Sequence, residues 1–440
     1  MIKYTCFLLC LLIFCINTNA NTNDNDNSYR PFKECVGTNE TVRNILMEFY
    51  NATNGNNWDC NWYTWPGSCR MYNSTCKWTS GDNYCDWYGI QCKDIMNSKN
   101  CDEIVEFDLS SCNLEGYVPE SLTLLPNKIM IFGLSNNVNL TGKLPSTLFT
   151  NMEQLEYVDI TSTGLYGDLP DFTPSCKLEY LSIGFSEFNT LDVSNCTNLI
   201  KIILNRTPIS SFPYRTPNTQ IITYPYLTTF IDEIGNLNNN GLNMQFFCHQ
   251  PNLYWLDLSN NHYVGDIPEC LGNLSKLEGL ILANNKFISF KYGQYGEYDQ
   301  YQSLTTLNLA HNDIEGIPEN YYFQSLSTCI LSYNRFTGYI PMYMSSNLTV
   351  LRVDNNPMIG TLLGYEALIS ILDIRNTNVI IDDYYYKTYY KIDYDTLSKD
   401  TILYQYYCPS LTTSYYKPTP LTVYVSSTFF GNYTDICIKI

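Results

Sequence analysis

Leu253-Tyr254-Trp255-Leu256-Asp257-Leu258-Ser259-Asn260-Asn261 is the stretch that decides the fold. Leucine holds the first, fourth and sixth positions and asparagine the ninth, and the spacing returns at Leu304, Leu307, Leu309 and Asn312. Counted from the first apolar position, eleven registers are legible: Ile104, Ile129, Leu155, Leu178, Leu199, Leu253, Leu277, Leu304, Leu326, Leu348 and Ile369. A unit of about two dozen residues cannot bury an apolar face alone, so such units stack into a solenoid. Within each unit a short strand points alternate apolar side chains inward, and stacked strands form a parallel sheet. The polar ninth position serves backbone groups buried where the chain turns. It is Asn137, Asn261, Asn285, Asn312, Asn334 and Asn356, and elsewhere Cys112, Thr163, Ser186, Thr207 and Thr377. The expected class is an α/β solenoid with a concave parallel sheet.

Several repeats continue as Gly-x-(Ile/Leu/Val)-Pro: Gly116 to Pro119, Gly142 to Pro145, Gly167 to Pro170, Gly265 to Pro268 and Gly338 to Pro341. Glycine permits a turn and proline holds its predecessor extended. The convex side should therefore carry extended segments and brief 3₁₀ turns rather than long helices. Between Leu199 and Leu253 a register is missing. A degenerate repeat near Ile221, with Tyr224 and Tyr226, is expected within residues 214–248, and an insertion loop is the alternative. The repeats should fill residues 102–380 in about eleven or twelve turns. Tyrosines dominate residues 381–440, expected to be a C-terminal cap closed by a Cys408–Cys437 bridge.

Residues 1–20 read as a secretory signal, with Lys3 ahead of the apolar run from Cys6 to Ile16 and small Ala20 at the cut. No later stretch approaches the roughly 20 apolar residues of a spanning helix, so a secreted chain without a membrane span is expected. Cys6, Cys10 and Cys15 lie in the signal, leaving fifteen of the 18 cysteines. Dense cysteines behind a signal read as disulfides of an oxidising compartment. Their irregular spacing and the few histidines argue against zinc. Residues 21–101 form a polar leader and a cap, in which Val42 to Tyr50 has helical spacing with Thr41 as its cap, followed by tryptophans 58, 62, 65, 78 and 87 among cysteines. Such a cap covers the first repeat's open edge. Cys176 and Cys196 lie just ahead of Leu178 and Leu199, so stacking brings them to adjacent turns. Cys248 and Cys270 match less well in register, and Cys329, at an inward position, is the first choice for an unpaired thiol. Sequons at Asn39, Asn51, Asn73, Asn139, Asn195, Asn205, Asn273, Asn347 and Asn432 agree with export. A net charge of -18 repels phosphate backbones and anionic lipid, which argues against nucleic acid as a partner.

Leu258-Ser259-Asn260-Asn261 with Gly265-Asp266-Ile267-Pro268, and the counterparts Leu134 to Asn137 and Leu331 to Asn334, resemble plant-type extracellular leucine-rich repeat proteins. That family includes receptor ectodomains and secreted polygalacturonase inhibitors. Cys85-Asp86-Trp87-Tyr88-Gly89-Ile90-Gln91-Cys92 is similar to its N-terminal cap signature, and Phe49 to Gly55 with Trp58 resembles the opening of protist and algal members. The resemblance covers residues 42–380. It implies a Cys85–Cys92 bridge and a Trp87 packed on the first strand. The extra cysteines 60, 69, 76 and 101 depart from it, as does the lack of a kinase domain. The scaffold hosts many ligands, so architecture does not name one.

No motif points to catalysis. His249, His262 and His311 belong to different repeats, and no nucleophile elbow, zincin pair or phosphate loop occurs. Asp108, Asp159 and Asp257 share one strand position in separate turns, too far apart for a glycosidase pair at about 5–9.5 Å. No cofactor and no metal are expected. Recognition of an extracellular protein or peptide is the expected function, open to association with a separate membrane receptor. A structural glycoprotein of a matrix or coat and an inhibitor of a secreted polysaccharide hydrolase are the alternatives. The candidate surface is the concave face, where Tyr157, Tyr180, Phe185 and Trp255 accompany Asp108, Asp159 and Asp257, with the Asn205 sequon expected on the same strand face.

Overall fold

The computed structural model describes residues 37, 39–60, 78, 83–92, 103–209, 212, 221–233, 244–290, 300–316, 323–339, 345–362, 371–381, 403–406 and 421–424. They fall into two compact units, Met1–Pro174 and Ser175–Ile440. The signal, the Cys408–Cys437 pairing and the sequons Asn73 and Asn432 lie outside the described residues.

The first unit opens with helix Glu40–Ala52, whose buried face is Val42, Ile45, Leu46, Phe49 and Tyr50. Its cap is Asn39, not Thr41. The Asn39 Oδ1 accepts from the backbone N–H of Thr41 and Val42 at 3.0 and 3.3 Å, because Asn39 is the last extended residue and Thr41 is already helical. Phe49 meets Phe107 of the first inward strand edge-on at 5.2 Å, and Trp78 lies beside both. Trp87 stacks on Trp78 at 5.2 Å, so Trp78 and Phe49 supply the contact to the strand that the family resemblance assigns to Trp87. Trp58 and Trp78 each donate their indole N–H to a carbonyl, of Thr53 and Tyr88, at 2.9 Å, so neither buried ring strands a donor. Gly116 has φ +121°, and a Cβ there would overlap the Ala52 carbonyl, which docks the helix against the second half of the first repeat. Strand Ile90–Cys92 runs antiparallel to Ile104–Asp108, and Ile131–Gly133 and Tyr157–Asp159 follow in parallel. Cys85 is bonded to Cys92. Cys60 is bonded to Cys112: the cysteine at the ninth position of the Ile104 repeat does more than substitute for asparagine.

Among the described residues, the second unit stacks nine repeats. Strands Tyr180–Ser182, Lys201–Ile203, Thr229–Ile231, Trp255–Asp257, Gly279–Ile281, Thr306–Asn308, Thr328–Ile330, Val350–Arg352 and Ile371–Asp373 pair in parallel, residue for residue. The missing register is thus a repeat and not an insertion. It begins at Leu227, not near Ile221: Leu227 and Phe230 fill the first and fourth positions fully buried, and Asp232 in the sixth breaks the apolar spacing. Leu421–Tyr424 continues the sheet in parallel past Ile371–Asp373, with Leu403–Tyr406 antiparallel to it. A second sheet of short strands, Val264–Ile267, Lys286–Phe290, Glu315–Gly316 and Arg335–Phe336, lines the other side beside 3₁₀ turns such as Met244–His249 and Glu269–Asn273. Cys176 is bonded to Cys196, and Cys248 to Cys270. The latter pair sits on those two 3₁₀ turns, which absorb the mismatch in register. Cys329 is buried and unbonded.

The ninth-position asparagines hold the stack together. Asn312 donates through Nδ2 to the carbonyls of Leu282, Leu309 and Ala310 at 2.9, 3.0 and 3.3 Å, and its Oδ1 accepts from Phe287 N–H at 3.0 Å. Asn285, Asn334 and Asn356 repeat this pattern. One side chain satisfies four backbone groups across two turns, which no apolar residue can do.

Candidate recognition surface

Most inward strands of the second unit bury their middle residue and half-expose the residues on either side, with Ser182, Gly279 and Asp373 buried as exceptions, so two rows run along the concave sheet. The first holds Tyr180, Lys201, Thr229 and Trp255, and Gly279 comes next. Trp255 dominates it. A Cβ on Gly279 would overlap the indole, so the ring lies against the neighbouring strand at Gly279 and is half-buried. Lys201 Nζ sits 5.4 Å above the Tyr180 ring, a cation–π contact that orders both side chains. The second row holds Ile203, Ile231, Asp257 and Ile281, with Ile330 two turns on. At the strand entrance, Ile200, Tyr226, Thr228, Asn252, Tyr254 and Lys276 line an open groove of about 520 Å³. Tyr226 is 58% exposed, and Lys276 Nζ donates to Asn252 Oδ1 at 2.6 Å.

Asp108, Tyr157 and Asp159 belong to the first unit, while Tyr180, Phe185, Trp255 and Asp257 belong to the second. The aspartates have a structural duty. Oδ1 of Asp108, Asp159 and Asp257 accepts from the backbone N–H two residues on, at Ser110, Thr161 and Ser259, at 2.9, 3.0 and 3.0 Å. This Asx arrangement ends the strand. Burial holds the Asp159 carboxyl above the usual range. Phe185 does not lie on the strand face. It follows Tyr180–Ser182 at φ +56°, is 46% exposed, and is covered by the Arg206 guanidinium at 5.2 Å. Asn205 likewise lies past strand Lys201–Ile203, half-buried, with Oδ1 accepting from Glu233 N–H at 3.1 Å. The sequons Asn39, Asn51, Asn139, Asn195, Asn273 and Asn347 are exposed.

Two rows escaped the sequence reading. The isoleucines at 203, 231, 281 and 330 occupy the position before the sixth, where aspartates alone attracted notice. The residue before each ninth position forms a left-handed column, with φ between +53° and +58° at Phe185, Arg206, Asn260, Asn284, His311, Tyr333, Asn355 and Asn376. Asparagine suits that backbone, and bulky residues there are unusual. His311 stacks on Tyr333 at 4.1 Å. The signal was available as a departure from Asn at one register position. Among the described residues no cluster of three or more His, Cys, Asp or Glu could hold a metal, and no helix is long and apolar enough to cross a membrane.

A leucine-rich repeat family model matches residues 252–274. Receptor-like protein 54 of Arabidopsis thaliana is 30% identical over 185 residues, covering 42% of this chain and 19% of that protein. Receptor-like protein 18 of the same plant is 38% identical over 272 residues, covering 61% and 31%. The chain therefore spans less than a third of either relative. Among solved structures, the Arabidopsis receptor kinase HAESA in complex with the peptide hormone IDA and the co-receptor SERK1 superposes with a TM-score of 0.52 at 23% identity, over 67% of this chain and 53% of that one. PEPR1–AtPEP1 gives 0.55 at 20% over 78% and 49%, and a plant ice-binding protein 0.51 at 16% over 79% and 96%. At such identities the likeness is one of fold: the chain is a leucine-rich repeat solenoid.

Proposed function

We propose that the chain is an extracellular recognition protein that binds a protein or peptide partner across the concave sheet of the second unit and performs no chemistry. The observation that carries this reading is Trp255, laid against Gly279 on a strand flanked by those that carry Ile231 and Ile281. A large rigid aromatic already ordered against the sheet loses little freedom on binding, and aromatic anchors ringed by apolar contacts dominate protein interfaces. Tyr180 and Lys201 add a second anchor with a cation, Lys201 lying two strands from Trp255 and Tyr180 three. HAESA, which shares the fold, was solved with a peptide hormone and a co-receptor. The ice-binding protein of the same fold shows that architecture alone does not choose the ligand.

The test is co-purification from the medium of cells that make the protein, comparing the wild-type chain with Trp255→Ala and Tyr180→Ala. The two substitutions together should weaken capture of a stoichiometric partner by at least about 2 kcal/mol while secretion stays normal. Undiminished capture by the double variant would place the partner elsewhere.

A further inference from the structure

The Leu227 repeat departs from its neighbours in its interior. At the sixth position the other eight repeats of the second unit carry Leu, Ile or Val; here the residue is Asp232, 1% exposed. Neither of its carboxyl oxygens has a hydrogen-bond partner. Two more buried oxygens beside it are also unmatched, Asn261 Oδ1 and Tyr263 Oη. Elsewhere the asparagine Oδ1 accepts an N–H from the preceding repeat, as Asn285 does from Tyr263 and Asn312 from Phe287. No such N–H reaches Asn261 Oδ1. Asn261 still donates Nδ2 to the Asp232 carbonyl at 2.5 Å, so the two side chains share one neighbourhood, and the Tyr263 phenol feels the Asp232 charge.

An ionised carboxylate in this place would be a buried charge with no cation beside it, a costly arrangement that proteins escape by protonation. The charged group acting on Asp232 is the Asp257 carboxylate on the next strand, which disfavours a second negative charge, while the Tyr263 phenol beside it is held protonated by burial. A neutral carboxylic acid, by contrast, brings an O–H donor to a site whose unmatched atoms are acceptors or a hydroxyl. We propose that the Leu227 repeat is a proton-dependent latch in the concave sheet, closed while Asp232 is protonated and loosened when it ionises. The inference concerns the fold of this repeat and stands whether or not a partner binds there. It matters for recognition because Thr229 and Ile231 pair directly with Trp255 and Asp257.

Burial first and Asp257 second push the Asp232 carboxyl up to about 7, against 3.8 for the free group. Below about pH 4 folded and opened forms both hold the proton, so the latch is fully closed. Between the two values only the folded form holds it, so stability falls as pH rises, and above about 7 the loss is complete and constant. Hydrogen exchange on the full chain, read as protection factors, tests this. The opening equilibrium for residues 227–233 should rise about tenfold per pH unit between about pH 5 and 7 and then level off. Residues 304–309 should lack that slope. Asp232→Leu, which restores the column, should stay protected across the range, and Asp232→Asn, an uncharged shape mimic, should also lose the slope should the leucine not fit. A wild-type slope matching both variants would overturn the latch. So would protection that falls on acidification, since that is the mark of an ionised Asp232 held by a cation.

Discussion

Replacing Asn312 with Ala removes four hydrogen bonds from a side chain that is 8% exposed: three donations to carbonyls of two turns and one acceptance from Phe287 N–H. Counting about 1 kcal/mol for each of the three shortest, and adding part of the penalty for the amide and carbonyls left dry, the cost is about 4 kcal/mol. Asn261→Ala is the internal control. Asn261 is equally buried and donates to Asp232, Leu258 and Ser259, but its Oδ1 already lacks a donor. Its removal strands no backbone N–H and relieves one orphaned acceptor, so it should cost about 1–2 kcal/mol less than Asn312→Ala. Stacked repeats can unfold in segments, so a single unfolding midpoint is insufficient. The assay is urea denaturation paired with hydrogen exchange at Phe287, the amide that loses its acceptor only in Asn312→Ala. If Asn261→Ala proves as damaging as Asn312→Ala, or Phe287 stays protected in the latter, the asparagine ladder does not hold the stack as described.

Gly279→Ala places a methyl where the Trp255 indole lies. The ring is the mobile partner, so stability should change by less than about 1 kcal/mol, while Trp255 becomes more solvent-exposed by fluorescence quenching and partner capture falls about tenfold or more. Cys329 is fully buried and its thiol is pushed up by that burial. It should resist alkylation in the folded chain and react after denaturation, and labelling without unfolding would show the inward register of Leu326 to Leu331 to be wrong. Asn39 is both a sequon and a helix cap. Asn39→Ala should destabilise the first unit by about 1 kcal/mol, whereas Asn39→Asp keeps the cap and removes only the glycan site. Equal losses in the two would assign the effect to the glycan, read by thermal unfolding of the secreted chain.

Much of the solenoid was legible because its physics is periodic. The leucines at 253, 256 and 258 must face one side, and the turn after them needs a buried polar group, so strand positions and the cysteine pair 176–196 could be read from spacing. The Leu227 repeat was misplaced for a specific reason: Asp232 stands where leucine was sought, and a buried acid violates the rule by which the register is read. Cys60–Cys112 joins residues with no shared register, and Cys248–Cys270 depends on 3₁₀ turns whose pitch spacing does not reveal. At the surface, spacing alone puts Phe185 and Asn205 on the strand, although each lies just past it, where the Asx or left-handed turn carries the chain off the sheet. The isoleucine row went unread because isoleucine between leucines looks like core, and only the sheet's alternation shows that it faces outward.

The central claim, that a partner lies on the concave sheet of the second unit, is tested most directly by site-specific photocrosslinking. A benzophenone side chain placed at Thr229, between Lys201 and Trp255 in register, is compared with one at Val264, exposed on the second sheet. Both chains are irradiated in medium conditioned by the producing cells. The account predicts a discrete covalent adduct at Thr229 and none at Val264; an adduct at Val264 with none at Thr229 would contradict it.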